Sequence, residues 1–75
     1  MKLRRYANLS GNSGVAAYAF TPTSILVHFR DADRLYEYSH ASAGRAKVER
    51  MKRLAEAGRG LSTYISQHAS DDYVR

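Results

Sequence analysis

The chain contains no cysteine, which removes disulfide cross-links and thiolate metal sites together and leaves the fold to packing or to association with a partner. A reducing, cytoplasmic location is the simplest expectation. Long apolar runs are also missing. The two longest, Val15 to Phe20 and Ile25 to Val27, fall far short of the roughly 20 residues that span a bilayer. The basic start Met1-Lys2-Leu3-Arg4-Arg5 is followed by Tyr6-Ala7-Asn8-Leu9-Ser10-Gly11-Asn12, which interrupts the apolar stretch that a secretory signal needs. These absences lead to the expectation of a soluble protein with no membrane partner. Internal repeats and low-complexity segments are absent as well. At 75 residues the chain accommodates one domain, and one this small buries only about 60% of its unfolded surface, which leaves little room for a deep catalytic cleft.

The residue patterns of common chemistries are equally scarce. His28, His40 and His68 show no paired ligand spacing, so neither a metal nor any other cofactor is expected. Gly11 and Gly14 precede a strand pattern and not a helix, so Gly-Asn-Ser-Gly reads as a turn and not a phosphate-cradling loop. No serine sits in a nucleophile elbow. Asp31 and Asp33 lie two apart in a turn, where aspartates bond their own backbone more readily than they perform acid-base work. The expectation is a protein that is not an enzyme.

What the chain has is positive charge. Twelve Lys+Arg against seven Asp+Glu give a formal net charge of +5 and a pI near 9.9, a balance that favours nucleic acid or an acidic protein surface as partner.

Along the chain, residues 1 to 12 carry Lys2, Arg4 and Arg5 ahead of a turn-prone Ser-Gly-Asn-Ser-Gly stretch and read as a flexible basic arm, available to hold phosphates or simply solvated. Strands are expected over Val15 to Phe20, Ile25 to Arg30 and Leu35 to Tyr38, where side chains alternate between two faces. Thr21-Pro22-Thr23-Ser24 and Asp31-Ala32-Asp33 supply the turns. Such short connections require antiparallel neighbours. One face then collects Tyr18, Phe20, Ile25, Val27, Phe29, Tyr36 and Tyr38 as the core. Beyond Ser39 the period changes. Val48, Met51, Leu54 and Ala55 fall at helical spacing, with Ser42 as N-cap and Gly58 as stop. Leu61, Tyr64, Ile65 and His68 repeat that spacing in a shorter helix. The fold class is therefore α+β: a three-stranded antiparallel β-meander packed by one main α-helix plus a short C-terminal helix. Residues 1–75 form a single domain, with a folded core over 13–69 and a frayed tail over 70–75.

The Tyr36-Glu37-Tyr38 couplet, three short strands before a helix, and the positions Val15, Tyr18, Phe20, Pro22, Ile25, Val27, Phe29, Gly58 and Ile65 resemble the KTSC domain, the small domain found at the C-terminus of some lysyl-tRNA synthetases. The resemblance covers about Val15 to Ile65. It departs at Asp31-Ala32-Asp33, where the family tends to glycine or asparagine, and in the tyrosine expected soon after Ile65, which appears only at Tyr73. The family has no established activity. A suggested RNA-binding role is what the resemblance implies for function.

Three surfaces are candidates for binding. Arg45, Lys52 and Arg59 recur every seven residues along one helix flank, a spacing able to track phosphates. Glu49 and Glu56, at i+4 from Arg45 and Lys52, instead favour an ion-paired solvated face. The tyrosine couplet is able to stack unpaired bases, yet the alternation directs both rings to the core face, where aromatic bulk fills space. The outer sheet face, Ala17, Ala19, Leu26, His28, Arg30, Leu35 and Glu37, suits a protein partner. Two functions follow as expectations. The first is a small module binding RNA, or nucleic-acid-handling machinery, through Lys2, Arg4, Arg5, Arg45, Lys52 and Arg59. The alternative resembles the small regulators made by phages, which bind a large bacterial protein such as RNA polymerase and alter transcription, here through a face built on Leu26, His28, Arg30 and Leu35.

Overall fold

The computed structural model describes residues 3–9, 11 and 13–74. Its centre is one antiparallel sheet in the order β1-β2-β3-β4, with β1 at Arg4–Arg5, β2 at Val15–Thr21, β3 at Ser24–Phe29 and β4 at Leu35–Ser39. Strands β2 to β4 form the expected meander. The sheet nevertheless has four strands and not three, because Arg4 and Arg5 pair with Tyr18 and Ala17 on the open edge of β2. The arm expected over 1 to 12 is thus bound to the sheet at residues 4 and 5. Tyr6 follows them into the core, 3% exposed, its N–H donating to the Ala16 carbonyl at 3.0 Å.

Local chemistry sets the register. Pro22 and Thr23 make a two-residue turn that leaves Thr21 opposite Ser24; the hydroxyls of that pair lie 2.6 Å apart, which satisfies the fully buried Ser24. At the other end of β2 a bulge at Ala16 moves Val15 opposite Phe29. The extra residue returns Val15 to the inner face, where it is fully buried.

The helices cover that face. Ser39 caps a short α1, His40–Ala43, through a reciprocal pair of hydrogen bonds with Ser42. Ser42 is therefore the third helical residue and not the expected cap. Gly44, at φ +93°, breaks the helix before α2, Arg45–Ala57, begins. α2 ends at Gly58 in the left-handed conformation, φ +79°. A Cβ at Gly58 would lie 2.7 Å from the Ala7 Cβ, so the N-terminal segment packs against this turn. The Leu9 N–H donating to the Gly58 carbonyl at 2.7 Å holds it there.

α3, Leu61–Tyr64, continues as a π-helical turn over Ile65–Ala69. The wider turn inserts one residue into the spacing. His68, expected on the apolar stripe, is exposed, and Ala69 is buried in its stead. Val15, Ile25, Val27, Val48, Met51 and Leu61 are fully buried between sheet and helices, with Tyr6, Tyr38 and Ile65 around them. The core thus reaches outside the 13–69 interval. No helix among the described residues is long and apolar enough to cross a membrane.

Candidate functional site

The sheet separates the basic residues. Consecutive strand residues face opposite ways, so Arg4 lies on the face of Tyr18, its guanidinium 5.9 Å from that ring, while Arg5 lies opposite Ala17 on the outer face. The two do not form a joint contact. Lys2 lies outside the described residues.

On α2 the seven-residue stripe does not hold together. Lys52 is half-buried: its ammonium donates to the Thr21 carbonyl at 2.8 Å, lies 3.5 Å from Glu49 and sits 5.6 Å from the Phe20 ring. It ties the helix to the end of β2 and is spent as a phosphate contact. Arg45 is exposed, and Arg59 is exposed but stands beyond the left-handed Gly58, off the helix. Glu49 pairs with Lys52 and with His40 Nε2 at 3.0 Å, not with Arg45. The His40 hydrogen bond, aided by Lys52, holds the Glu49 carboxyl below its usual range.

The residues that the stripe passes over are Arg50 and Arg53. They lie on the side of α2 opposite the buried Val48, Met51 and Ala55, and both are exposed. Three residues apart on a helix, they are neighbours; a helical projection centred on the buried stripe finds them. In all, Arg4, Arg5, Arg30, Arg34, Arg45, Arg50, Arg53 and Arg59 are exposed, whereas both described lysines are engaged. Lys47 packs its stem at the edge of the stripe and donates to the His68 carbonyl at 2.6 Å and to Asp72 at 2.9 Å.

The tyrosine couplet is inside, as its alternation requires. Tyr38 is 2% exposed, and burial, reinforced by Tyr36, Tyr73 and Asp72, pushes its hydroxyl up to about 12. Tyr36 is half-buried and meets Phe29 edge-on at 5.5 Å and Tyr73 at 4.9 Å, with the Arg34 guanidinium 4.8 Å from its centroid. Neither ring offers a bare face for a base.

On the outer sheet face, pairing aligns Ala19, Leu26 and Glu37 in one row and Ala17, His28 and Leu35 in the next. Leu35 is 41% exposed, and Leu3, one residue before β1, is 45% exposed. Leu26 and His28 are half-buried, while Arg30 is exposed just past the end of β3, its N–H donating to the Gly14 carbonyl. No group of three His, Asp or Glu side chains among the described residues is placed to hold a metal ion.

No family model, curated protein or solved structure matches the chain. What it binds is therefore read from its own surface.

Proposed function

We propose that this protein is a non-enzymatic binding module of the KTSC type that takes a polyanionic partner, RNA or the machinery that handles it, through exposed arginines. The supporting observation is the division between the two kinds of cation: the described lysines serve the fold, and the arginines face water. Arginine presents a planar fork of donors that matches phosphate oxygens two at a time, and it keeps its charge at any physiological pH. Arg50 and Arg53, with Arg45 and Arg59 near the ends of α2, form the contact surface. Lys2, Arg4 and Arg5 are secondary contacts. Lys52 is removed from the set because its ammonium already serves Thr21 and Glu49.

The test is a titration of labelled single- and double-stranded RNA and DNA at two salt concentrations. Binding at micromolar concentration or better, weakening steeply with salt, supports the reading; absence of binding at low salt removes it.

The exposed Leu35, on the strand next to Leu26, and the exposed Leu3 favour a second reading, a regulator that docks its outer sheet face on a large bacterial enzyme such as RNA polymerase. Purified nucleic-acid-free polymerase should then retain the chain and lose it on Leu35→Glu. Retention unaffected by that substitution would exclude the face.

A further inference from the structure

The last residues before the end of the described chain do not trail into solvent. After Ala69 the chain turns, with the Asp72 N–H donating to the Ala69 carbonyl at 3.1 Å, and three successive residues then meet three separate features of the fold. The Asp72 carboxylate meets the Lys47 ammonium at 2.9 Å. The Tyr73 ring stands edge-on to Tyr36 at 4.9 Å and to Tyr38 at 6.3 Å, with the Arg34 guanidinium 5.9 Å from its centroid. The Val74 N–H donates to the Glu37 carbonyl at 2.6 Å, on the outer edge of β4, the last strand in the sheet order. A carboxylate, a ring and a backbone donor in sequence, with the chain bending at Tyr73, seat a short segment against the sheet edge through a main-chain bond and two side-chain sites. The ion pair in this attachment is partly exposed, and such pairs add little to stability.

We propose that the β4 edge, with Lys47, Arg34 and the rings of Tyr36 and Tyr38, is a docking site for a short bent segment of a partner protein carrying an acidic residue followed directly by an aromatic one. Residues 72–74 occupy it in the free protein as an internal stand-in. The charge agrees, since Lys47 meets the Asp72 carboxylate and the Arg34 guanidinium lies 4.8 Å from the Tyr36 ring. So does the seated sequence, Asp72-Tyr73-Val74. A tethered occupant acts at a high effective concentration, so a partner must either bind more tightly or be present when the segment is loosened. This inference does not rest on the polyanion reading, whose contact residues include neither Arg34 nor Lys47.

The probe is the blocked peptide Ser-Asp-Asp-Tyr-Val-Arg, titrated into the 75-residue chain and into its Asp72→Ala/Tyr73→Ala variant while the amides of Glu37, Tyr38 and Lys47 are followed by NMR. Saturable shifts at these amides are expected in the variant, at concentrations at least tenfold lower than in the unsubstituted chain, and none with a peptide whose tyrosine is replaced by alanine. Equal response of both chains, equal response to both peptides, or no response overturns the proposal. So does a concentration-dependent dimer of the unsubstituted chain that the peptide dissolves, which would assign the site to the tail of a second copy. Should the double variant not fold, amide exchange of the unsubstituted chain decides: Val74 is expected to exchange at least 100-fold faster than Val27, and equal protection would show a segment that opens only with the whole fold.

Discussion

The two ends of this chain look alike in sequence, short, polar and charged, and they do different work. The N-terminal segment enters the fold. Arg4 and Arg5 complete the sheet, Tyr6 is 3% exposed with its hydroxyl accepting the Leu61 N–H at 3.3 Å, and the following residues pack on the Gly58 turn. The C-terminal segment lies on the fold, with the part-exposed Asp72–Lys47 ion pair, the Tyr73 ring against Tyr36 and the Val74 N–H on the Glu37 carbonyl. One buried ring with a satisfied hydroxyl makes the difference. It converts a charged arm into core, whereas Asp72 and Tyr73 stay half-buried at the surface.

The largest effect that would sharpen this contrast is expected at Tyr6. Tyr6→Ala should cost about 3 to 5 kcal/mol in denaturant unfolding. A 75-residue chain has on the order of 4 to 11 kcal/mol in all, so the variant should lose a large share of its stability; a loss below about 1 kcal/mol would show the N-terminal segment to be as superficial as the tail. Gly58→Ala comes next, at about 2 kcal/mol, from the left-handed backbone and the 2.7 Å approach to Ala7. Tyr6→Phe, which strands the Leu61 N–H, should cost about 1 kcal/mol. At the opposite end Asp72→Ala should cost less than about 1 kcal/mol, as a partly exposed pair does.

Alkaline pH sharpens the comparison from another side. The Tyr38 hydroxyl titrates at about 12 in the fold, above its ordinary value of 10.0. Between these values the unfolded chain has lost a proton that the folded chain keeps, so stability is full below pH 10 and falls as pH rises toward 12. Tyr38→Phe should flatten that fall in pH-dependent unfolding; an unchanged slope would place its source elsewhere.

Much of the sheet was legible because β3, β4 and β2 beyond its Ala16 bulge alternate cleanly and their turns are short. β1 was not, because two adjacent arginines carry no alternation, and their place is decided by the unpaired edge of β2 and by where Tyr6 is buried. The π-helical turn left no trace in a sequence whose i, i+3, i+4 spacing runs unbroken through His68. Lys52 misled for a related reason: its acceptor is a backbone carbonyl 31 residues away, which no count along the helix reveals. Arg50 and Arg53 were within reach, since they stand opposite the apolar stripe that had already been read correctly.

The central claim is that arginines on the outer side of α2 carry the affinity for a polyanion. The most direct measurement is the salt dependence of single-stranded RNA binding for the unsubstituted chain and for Arg50→Ala/Arg53→Ala. The account predicts weaker binding and a log-log salt slope shallower by about 1.4 in the variant, at roughly 0.7 per phosphate contact on a single strand. An unchanged slope with unchanged affinity would contradict it.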